Sequence, residues 1–205
     1  MRSWFFARLY PHISQPHESM VEQSKRALFA RALTHIEVKR VLEIGPGPGV
    51  NLAYLPAAVD YLALEPNPHF HPQLQARAGQ LGVRLSLLAG QAEAIPLPEA
   101  SVDLAIGTLV LCSVRDVRTA LAEVRRVLRP GGAYLFVEHV AASQGTPLRL
   151  VQNLVTPCFV LAGDGCHPNR DPLPILDSLF TRVEAERLNL PLPIVAPHLV
   201  GLAWA

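Results

Sequence analysis

The sequence carries little net charge, few cysteines and no long apolar segment, and each shortage excludes a class of protein. Its formal net charge is +1 at pH 7, so electrostatics give no reason to expect a nucleic-acid partner. The cysteines, Cys112, Cys158 and Cys166, are odd in number and include no Cys-x-x-Cys pair, which argues against a disulfide framework and a structural zinc site. No apolar run approaches the roughly 20 residues of a membrane helix, and the N-terminal stretch lacks the features of a signal peptide. We therefore expect a cytoplasmic protein with no transmembrane helix.

One α/β domain, residues 1–205, accounts for the whole chain. Half of the residues are hydrophobic, which suits a single domain with a full core. Strand-like runs alternate with helical stretches, which predicts a seven-stranded, mostly parallel sheet with helices on both faces. Strands are expected at residues 40–44, 61–64, 83–88, 102–111, 133–140, 180–188 and 197–204, the third of them buried. Helices are expected at residues 16–35, 50–55, 72–79, 116–128, 146–161 and 171–179.

A glycine-rich loop follows the first predicted strand. Apolar residues flank Glu43, as in a buried parallel strand. Gly45, Gly47 and Gly49 then occupy alternate positions, and residues without a Cβ let the backbone approach a ligand closely. The two prolines between them lack N–H donors, so this loop is a poor phosphate cradle. The spacing fits neither the dinucleotide fingerprint nor the P-loop.

An acidic residue, Glu65, ends the second predicted strand, about 20 residues after the first strand. In sheets of this kind such an acid accepts hydrogen bonds from ribose hydroxyls, and the ligand lies at the carboxyl ends of the strands. A solvated strand end would also explain Glu65 alone. Because the glycine loop and Glu65 follow successive predicted strands, the two together favour a nucleoside-binding site.

Six further segments occur together in one family. They are Pro-Asn-Pro-His-Phe (66–70), Thr-Leu-Val-Leu-Cys-Ser-Val (108–114), Val-Leu-Arg-Pro-Gly-Gly (127–132), Glu-His-Val (138–140), Gly-Asp-Gly-Cys (163–166) and Pro-His (197–198). With the glycine loop, they make the chain resemble class I S-adenosylmethionine (SAM)-dependent methyltransferases, and among these the methyltransferase-like family that includes the mammalian microsomal alkyl-thiol S-methyltransferases. The resemblance extends over nearly everything from Ser24 onward. It implies a Rossmann-like fold, SAM as cofactor and a small apolar thiol as methyl acceptor.

The resemblance also implies which residues contact the cofactor. They are Glu43, Gly45, Gly47, Gly49, Glu65, Pro66, Asn67, Gln91, Ala92 and Thr108. Glu65 stands where the family usually has Asp, which keeps the carboxylate and lengthens its reach. Gln91 stands where the wider superfamily often has Asp, and its carbonyl can still accept from the adenine amino group.

A base for the acceptor is expected at His139. Methyl transfer needs the nucleophile, methyl group and leaving sulfur in line, with water excluded. A thiol of pKa about 8.5 gains from a nearby base, and His is the usual choice. Glu138 beside His139 would raise its basicity, and His198 and His167 are weaker candidates. A structural pair at the strand end is the alternative, because side chains alternate along a strand and only one of the two then faces the cavity.

No metal site is expected. Asp164, Cys166, His167 and Asp171 are ligand types, but they surround a glycine turn, and Cys112 is interpreted as a small buried apolar residue. The functional alternatives are O-, N- or C-methylation of a quinone precursor or lipid headgroup, and a catalytically silent SAM-binding module that regulates a partner.

Two peripheral segments have expected roles. Residues 1–36 form an N-terminal cap and helix, and residues 141–178 form a lid or pocket-wall insertion whose helix lines the acceptor pocket. Trp4, Phe5 and Phe6 either cap the domain's own pocket or contact a membrane peripherally, since aromatics between arginines suit a headgroup region. The mammalian members of the family carry a long hydrophobic N-terminal anchor, whereas only a short stretch precedes the first helix predicted here, so we expect a soluble or peripheral protein.

Overall fold

Seven strands form one sheet. They are β1 (Arg40–Ile44), β2 (Asp60–Leu64), β3 (Arg84–Leu88), β4 (Val102–Thr108), β5 (Leu128–His139), β6 (Arg182–Asn189) and β7 (Pro197–Trp204). The structure, a computed structural model, describes residues 2–205. For positions 2, 3, 5, 6, 9 and 11–13 it describes the backbone and not the side chains. The strand order is β3-β2-β1-β4-β5-β7-β6, with β1 to β5 paired in parallel and β7 antiparallel to both of its neighbours. The predicted fold class, a Rossmann-like α/β sheet, is confirmed.

Helices cover both faces of the sheet, as predicted. They are α1 (Arg2–His35), α2 (His71–Leu81), α3 (Val117–Val127), α4 (Pro147–Ala162) and α5 (Leu173–Leu179), with a short 3-10 helix at Val50–Tyr54. Apolar side chains of α3 and α5 pack on one face, and those of α1 and α2 pack on the other. Across the described residues, no helix combines the length and the apolarity needed to cross a membrane.

The first helix is much longer than predicted. The expected start near Pro16 is wrong, because α1 begins at Arg2 and continues through this proline. A proline removes one helical hydrogen bond, but α1 packs along β5 and β7, and this packing sustains the helix across the proline. The buried positions recur every three or four residues along one face: Ser14, His17, Val21, Lys25, Phe29 and Ala32.

The third strand is not buried, contrary to the prediction. β3 pairs only with β2 at the edge of the sheet, so Arg84 and Ser86 are exposed on it. Apolar composition alone does not separate an edge strand from a central one. The predicted end of the preceding helix at Gly79 is also wrong, because α2 continues to Leu81 and Gly82 adopts the left-handed conformation that ends it.

The fifth strand starts earlier than expected. β5 begins at Leu128, which pairs with Val102, and its register against β4 then shifts so that Ala133 pairs with Leu104. Gly131 and Gly132 lie between these two pairs, where the pairing of β4 with β5 is irregular. Asp116 caps α3, accepting a hydrogen bond of 2.7 Å from the N–H of Thr119.

Candidate active site

A cavity of about 370 Å³ opens at the carboxyl ends of β1, β2 and β4. This is where ligands bind in open α/β sheets. Eight of the residues expected to contact the cofactor line this cofactor cavity: Gly45, Gly47, Glu65, Pro66, Asn67, Gln91, Ala92 and Thr108. The other two, Glu43 and Gly49, are not among its lining residues.

Glu65 is held in place by two backbone donors. Its Oε2 accepts from the N–H of Gly47 and its Oε1 from the N–H of Asn67, both at 2.8 Å. Burial raises the pKa of Glu65, while these two hydrogen bonds oppose the shift. A carboxylate oxygen can accept more than one hydrogen bond. The side chain is therefore orientated toward the cavity and can still accept from a ligand hydroxyl.

Glu43 supports the glycine loop from below. It is almost fully buried, and its two oxygens accept from Asn51 Nδ2, at 2.7 Å, and from the Tyr61 hydroxyl. Asn51 Nδ2 also donates to Thr108 Oγ1 at 3.0 Å, so the network joins β1, β2, β4 and the 3-10 helix. Burial raises the pKa of Glu43 to about 7 against the effect of these donors. Alternation along β1 turns Glu43 away from the cavity that Ile44 lines, so its geometry supports a positioning role rather than the expected direct contact.

The glycine loop leaves no room for side chains at two of its positions. Gly45 and Gly49 have φ angles of +62° and +80°. A Cβ at Gly45 would lie 2.8 Å from Val110 Cγ2, and one at Gly49 would lie 2.6 Å from Leu74 Cδ1. Gly47 instead contributes its N–H to Glu65, so the three glycines have different tasks.

An aromatic pair closes one side of the cavity. Tyr10, from α1, and Phe70 both line it, and their rings meet edge to face with centroids 5.3 Å apart. The sequence pointed to three other aromatic residues of the N-terminal group, Trp4, Phe5 and Phe6, and did not link Tyr10 to the cofactor. Of the three residues named for that group, Trp4 is half exposed, and the side chains of Phe5 and Phe6 lie outside the described residues.

The predicted catalytic pair lies beside the cavity rather than in its lining. Glu138 is fully buried, and its Oε1 accepts from the N–H groups of Val110 and Leu111, both at 3.1 Å, which fixes the loop after β4. Burial raises the pKa of Glu138 to about 7. His139 Nε2 lies 3.3 Å from Cys166 Sγ. Burial opposes the imidazolium of His139, but the neighbouring Cys112 sulfur and the Glu138 carboxylate favour it more strongly, so the pKa of His139 lies above its ordinary value.

His198 belongs to a row of buried histidines. Its ring centroid lies 6.4 Å from that of His139, and its Nε2 lies 2.9 Å from His17 Nε2 on α1. Burial, reinforced by the neighbouring histidines, lowers the pKa of His17 to about 3; the same effects, partly opposed by a backbone hydrogen bond, lower that of His198 to about 4. Both rings are therefore neutral at pH 7 and lock α1 to β7. His198 has a structural partner and is not one of the residues that line the cavity.

The ligand-type residues near the glycine turn separate in space. Asp164 lines the cavity, His167 Nδ1 contacts the carbonyl of Gly165 at 2.7 Å, and Asp171 pairs with Arg187 at 2.6 Å. A different group assembles instead. Cys112, His139 and Cys166 place one candidate ligand atom each so that all three atoms lie within 4.8 Å of one another. We call these three residues the thiol–imidazole cluster.

The cavity fits SAM. The Glu65 carboxylate can accept hydrogen bonds from ribose hydroxyls, and the backbone of the glycine loop lines the cavity beside it. The apolar side chains of Ile44 and Leu64 line the same cavity as Gln91 and Ala92. The parallel sheet with a glycine loop and an acid at the ends of its first two strands defines a class I SAM-dependent methyltransferase. The match of residues 42–136 to the methyltransferase domain model agrees with this assignment.

The chain belongs to the family of the thiol S-methyltransferases TMT1A and TMT1B. It is 35% identical to human thiol S-methyltransferase TMT1B over 208 residues, covering 97% of this chain and 85% of that protein. Human TMT1A is 31% identical over 214 residues, covering 98% of this chain and 88% of that protein.

Solved structures of lower identity share the fold. The YcgJ protein from Bacillus subtilis has a TM-score of 0.66 at 22% identity, over 81% of this chain and 73% of that one. A SAM-dependent methyltransferase from Thermotoga maritima has a TM-score of 0.64 at 18% identity, over 97% of both chains. The protein is thus an enzyme of the SAM-dependent methyltransferase class, and SAM is its cofactor.

Proposed function

We propose that this methyltransferase transfers the methyl group of SAM to the sulfur of a small, apolar thiol. The observation that carries the proposal is the relationship, over nearly the whole chain, to human proteins named thiol S-methyltransferases. The cavity agrees with it, because the end next to Thr108 is lined by the apolar side chains of Leu109, Val110 and Val114.

The residues of this chain supply binding, orientation and exclusion of water. Bound SAM supplies an electrophilic methyl group on a sulfonium. Glu65 accepts from the ribose hydroxyls, and its hydrogen bond to Gly47 fixes the position of the loop at the same time. Tyr10 and Phe70 close the cavity on one side, which keeps water away from the reacting atoms. Holding the acceptor in line with the methyl group then supplies much of the rate enhancement.

We propose that His139 acts on the proton of the acceptor and that Glu138 positions the neighbouring loop. His139 lies next to Cys112, and the sulfur of Cys112 contacts Leu109 and Ser113 of the cavity lining. Glu138 binds the N–H groups of Val110 and Leu111 in that loop. His198 supports the His139 ring from behind through the contact of the two rings.

Within residues 141–178, we propose that only the turn after α4 forms a wall of the cavity. Asp164 lines the cavity, and a Cβ at Gly165 would lie 3.3 Å from the carbonyl oxygen of Ser113. None of the residues of α4 lines the cavity. Gln152 holds α4 to the end of β5 by accepting from Ala142 N at 2.8 Å, while Leu154 on the outer face is 80% exposed.

A cytosolic location with peripheral membrane contact is part of the proposal. The three cysteines are free thiols, the state that cytosol maintains. Trp4 is 50% exposed and Arg8 Cζ lies 5.6 Å from its ring centroid, a combination that suits a lipid headgroup region. Sedimentation with anionic vesicles, compared between wild type and Trp4→Ala, measures this contact.

Conversion of SAM to S-adenosylhomocysteine across alkyl thiols, phenols, amines and quinols tests the acceptor class. We expect the highest kcat/KM with apolar alkyl thiols. A preference for phenols, amines or quinols would replace the thiol proposal, and SAM binding without turnover of any acceptor would indicate a regulatory module. Glu65→Ala serves as the control with a weakened cofactor site.

A further inference from the structure

The thiol–imidazole cluster assembles from three separate parts of the chain. Cys112 lies in the loop after β4, His139 at the end of β5 and Cys166 in the turn after α4. His139 Nε2 is 3.3 Å from Cys166 Sγ, and the three candidate ligand atoms lie within 4.8 Å of one another. Cys112 and His139 are buried, while Cys166 is only partly covered, so the cluster is reachable from one side.

Hydrogen bonds hold the cluster in position without using its ligand atoms. The carbonyl of Cys112 accepts from the N–H of His167 at 2.8 Å and from Arg170 Nη1 at 3.0 Å. Arg170 Nη1 also donates to the carbonyls of Leu111 and Val114, so one guanidinium fixes the whole loop. A site whose ligands are preorganised by such contacts binds a ligand without a large ordering cost.

The donor set matches zinc. Two thiols and an imidazole are soft to intermediate ligands that favour zinc or copper(I) over magnesium or calcium. With zinc–sulfur bonds of about 2.3 Å and zinc–nitrogen bonds of about 2.0 Å, ligand atoms in a tetrahedral site lie roughly 3.5–3.8 Å apart. The cluster needs only a small adjustment to reach that spacing. His139 Nε2 is the ring nitrogen that lies within the cluster, 3.3 Å from Cys166 Sγ, so it is the nitrogen placed to bind the metal.

The number of ligands points to an open site. Among the described residues the group contains three ligand atoms, and zinc sites with three protein ligands keep a fourth position for water or substrate. The cofactor cavity is adjacent. Cys112 Sγ lies 3.5 Å from the carbonyl oxygen of Leu109 and 3.6 Å from Ser113 Oγ, and both residues line the cavity, as does Asp164.

We propose that Cys112, His139 and Cys166 bind a zinc ion whose fourth position takes the sulfur of the acceptor thiol. The second half of this statement rests on the proposed thiol S-methylation, whereas zinc binding does not. Cys112 and Cys166 bind as thiolates after releasing their protons to solvent, and an acceptor thiol loses its proton in the same way. This proposal departs from the expectation, drawn from the sequence, that the protein has no metal site.

Zinc keeps its charge and its oxidation state throughout the methyl transfer, and the reaction is balanced without any redox partner. A lone pair of the acceptor sulfur forms the new sulfur–carbon bond while the bond between the methyl carbon and the donor sulfonium breaks, and its electron pair stays on the donor sulfur. The products are a neutral methyl thioether and S-adenosylhomocysteine. The thioether is a weaker ligand than the thiolate, so it leaves the zinc. With Nε2 bound to zinc, His139 is a metal ligand and has no free nitrogen to act as a base, so this proposal replaces the proton role proposed for His139 above.

Metal content is the first measurement. Protein prepared without a metal-affinity tag, in a phosphine reductant instead of a thiol, should contain about one zinc per chain. Cys112→Ser and Cys166→Ser should each reduce the bound zinc to background. Cys158→Ser is the matched control, because it removes the exposed thiol of α4, and it should keep the zinc. Calorimetric SAM binding verifies that each variant is folded.

Cobalt substitution tests the fourth position. Removing zinc with a chelator should lower kcat/KM for an alkyl thiol by more than about 100-fold, since even changes behind metal ligands cost 10–100-fold. Re-addition of zinc should restore the activity. In the cobalt-loaded wild type, an alkyl thiol should change the visible absorption spectrum, whereas the matching alcohol should not. Because the chelation and cobalt experiments use wild-type protein, they test the proposal even if the cysteine variants fail to fold.

Three results overturn the zinc site. They are zinc content that is substoichiometric or insensitive to both cysteine substitutions, preferential copper(I) binding, and a mass loss of two hydrogens from a Cys112–Cys166 disulfide. A cobalt spectrum indifferent to thiols overturns the binding of the acceptor sulfur at the fourth position. Full thiol turnover without metal would overturn the zinc role and leave the proposed function standing. Stoichiometric zinc with a thiol-sensitive cobalt spectrum but no thiol turnover would support the site and contradict the proposed function.

Discussion

A hydrogen bond of 2.8 Å joins the carboxylate of Glu65, at the end of β2, to the backbone N–H of Gly47 in the glycine loop. The group expected to bind ribose is therefore also a support of the loop that forms the cavity floor. Removing the carboxylate affects both, because the N–H of Gly47 loses its acceptor as well. SAM binding and loop geometry are coupled through this one side chain.

The first prediction concerns that carboxylate. Glu65→Ala should weaken SAM binding by about 1–3 kcal/mol, because ribose hydroxyls and the Gly47 N–H are left without an acceptor. Isothermal calorimetry measures the change. Glu99→Ala, which removes an exposed carboxylate, is the control and should bind SAM like wild type. Unchanged affinity in folded Glu65→Ala would show that Glu65 is not the ribose ligand.

The second prediction separates backbone strain from crowding in the glycine loop. Gly45→Ala and Gly82→Ala both place a side chain at positive φ, which costs about 1–2 kcal/mol. Only at Gly45 does the new Cβ meet another side chain, at 2.8 Å from Val110, whereas Gly82 faces open space. We expect both variants to lose stability in denaturant unfolding and only Gly45→Ala to lose SAM affinity. Equal SAM affinity in the two variants would contradict the role of the close contact at Gly45.

The third prediction concerns pH and Glu43. Burial raises its pKa from 4.5 to about 7, so the folded state binds a proton more tightly than the unfolded state. Between these two values the free energy of unfolding should fall as pH rises, by roughly 2–3 kcal/mol from this group. Glu43→Gln should remove that contribution and retain an acceptor for Asn51.

Comparison of wild type and Glu43→Gln by urea unfolding at pH 4.5, 5.5, 6.5 and 7.5 isolates the effect. The difference between the two proteins is the quantity to follow, because the lowered pKa values of His17 and His198 give wild type an opposite slope in part of the same range. A difference that does not change with pH would mean that Glu43 does not titrate there.

The fourth prediction concerns the length of the acceptor. Apolar side chains line the end of the cavity next to Thr108, which is proposed to take the acceptor, so each added methylene should contribute about 0.8 kcal/mol to binding until the space is filled. KM should fall from ethyl to butyl to hexyl thiol. Val114→Ser should reduce this dependence, because Val114 lines the cavity, whereas Leu154→Ser on the exposed face of α4 should leave it unchanged. A flat KM across the three thiols would contradict an apolar acceptor site.

Features that depend on neighbours in sequence were predictable. The glycine loop and Glu65 follow from local spacing, because backbone conformation at Gly45 and the end of β2 are local properties. The mostly parallel sheet followed from the alternation of strands and helices. Whether β3 is central or at an edge depends on strand order, which composition does not contain, and its predicted burial was wrong for that reason.

Features that depend on tertiary packing were not predictable. The extent of α1 depends on its packing against β5 and β7, which outweighs the effect of Pro16. The thiol–imidazole cluster was missed because His139 and Cys166 lie 27 residues apart and Cys112 lies in a third segment. None of these spacings resembles a metal-binding motif. The pairing of Cys112 with Cys166 required the fold to bring the loop after β4 against the turn after α4.

The position of β7 sets an order of assembly for the chain. β7 lies between β5 and β6, and among the described strands β6 pairs with no other, so β6 stays unpaired until β7 has been synthesised. His17 on α1 meets His198 on β7 across 181 residues of sequence. During synthesis, the face of α1 that is buried in the folded protein therefore stays incompletely packed until β7 has been made. Nascent chains of this protein should need protection from aggregation until residues near His198 have left the ribosome.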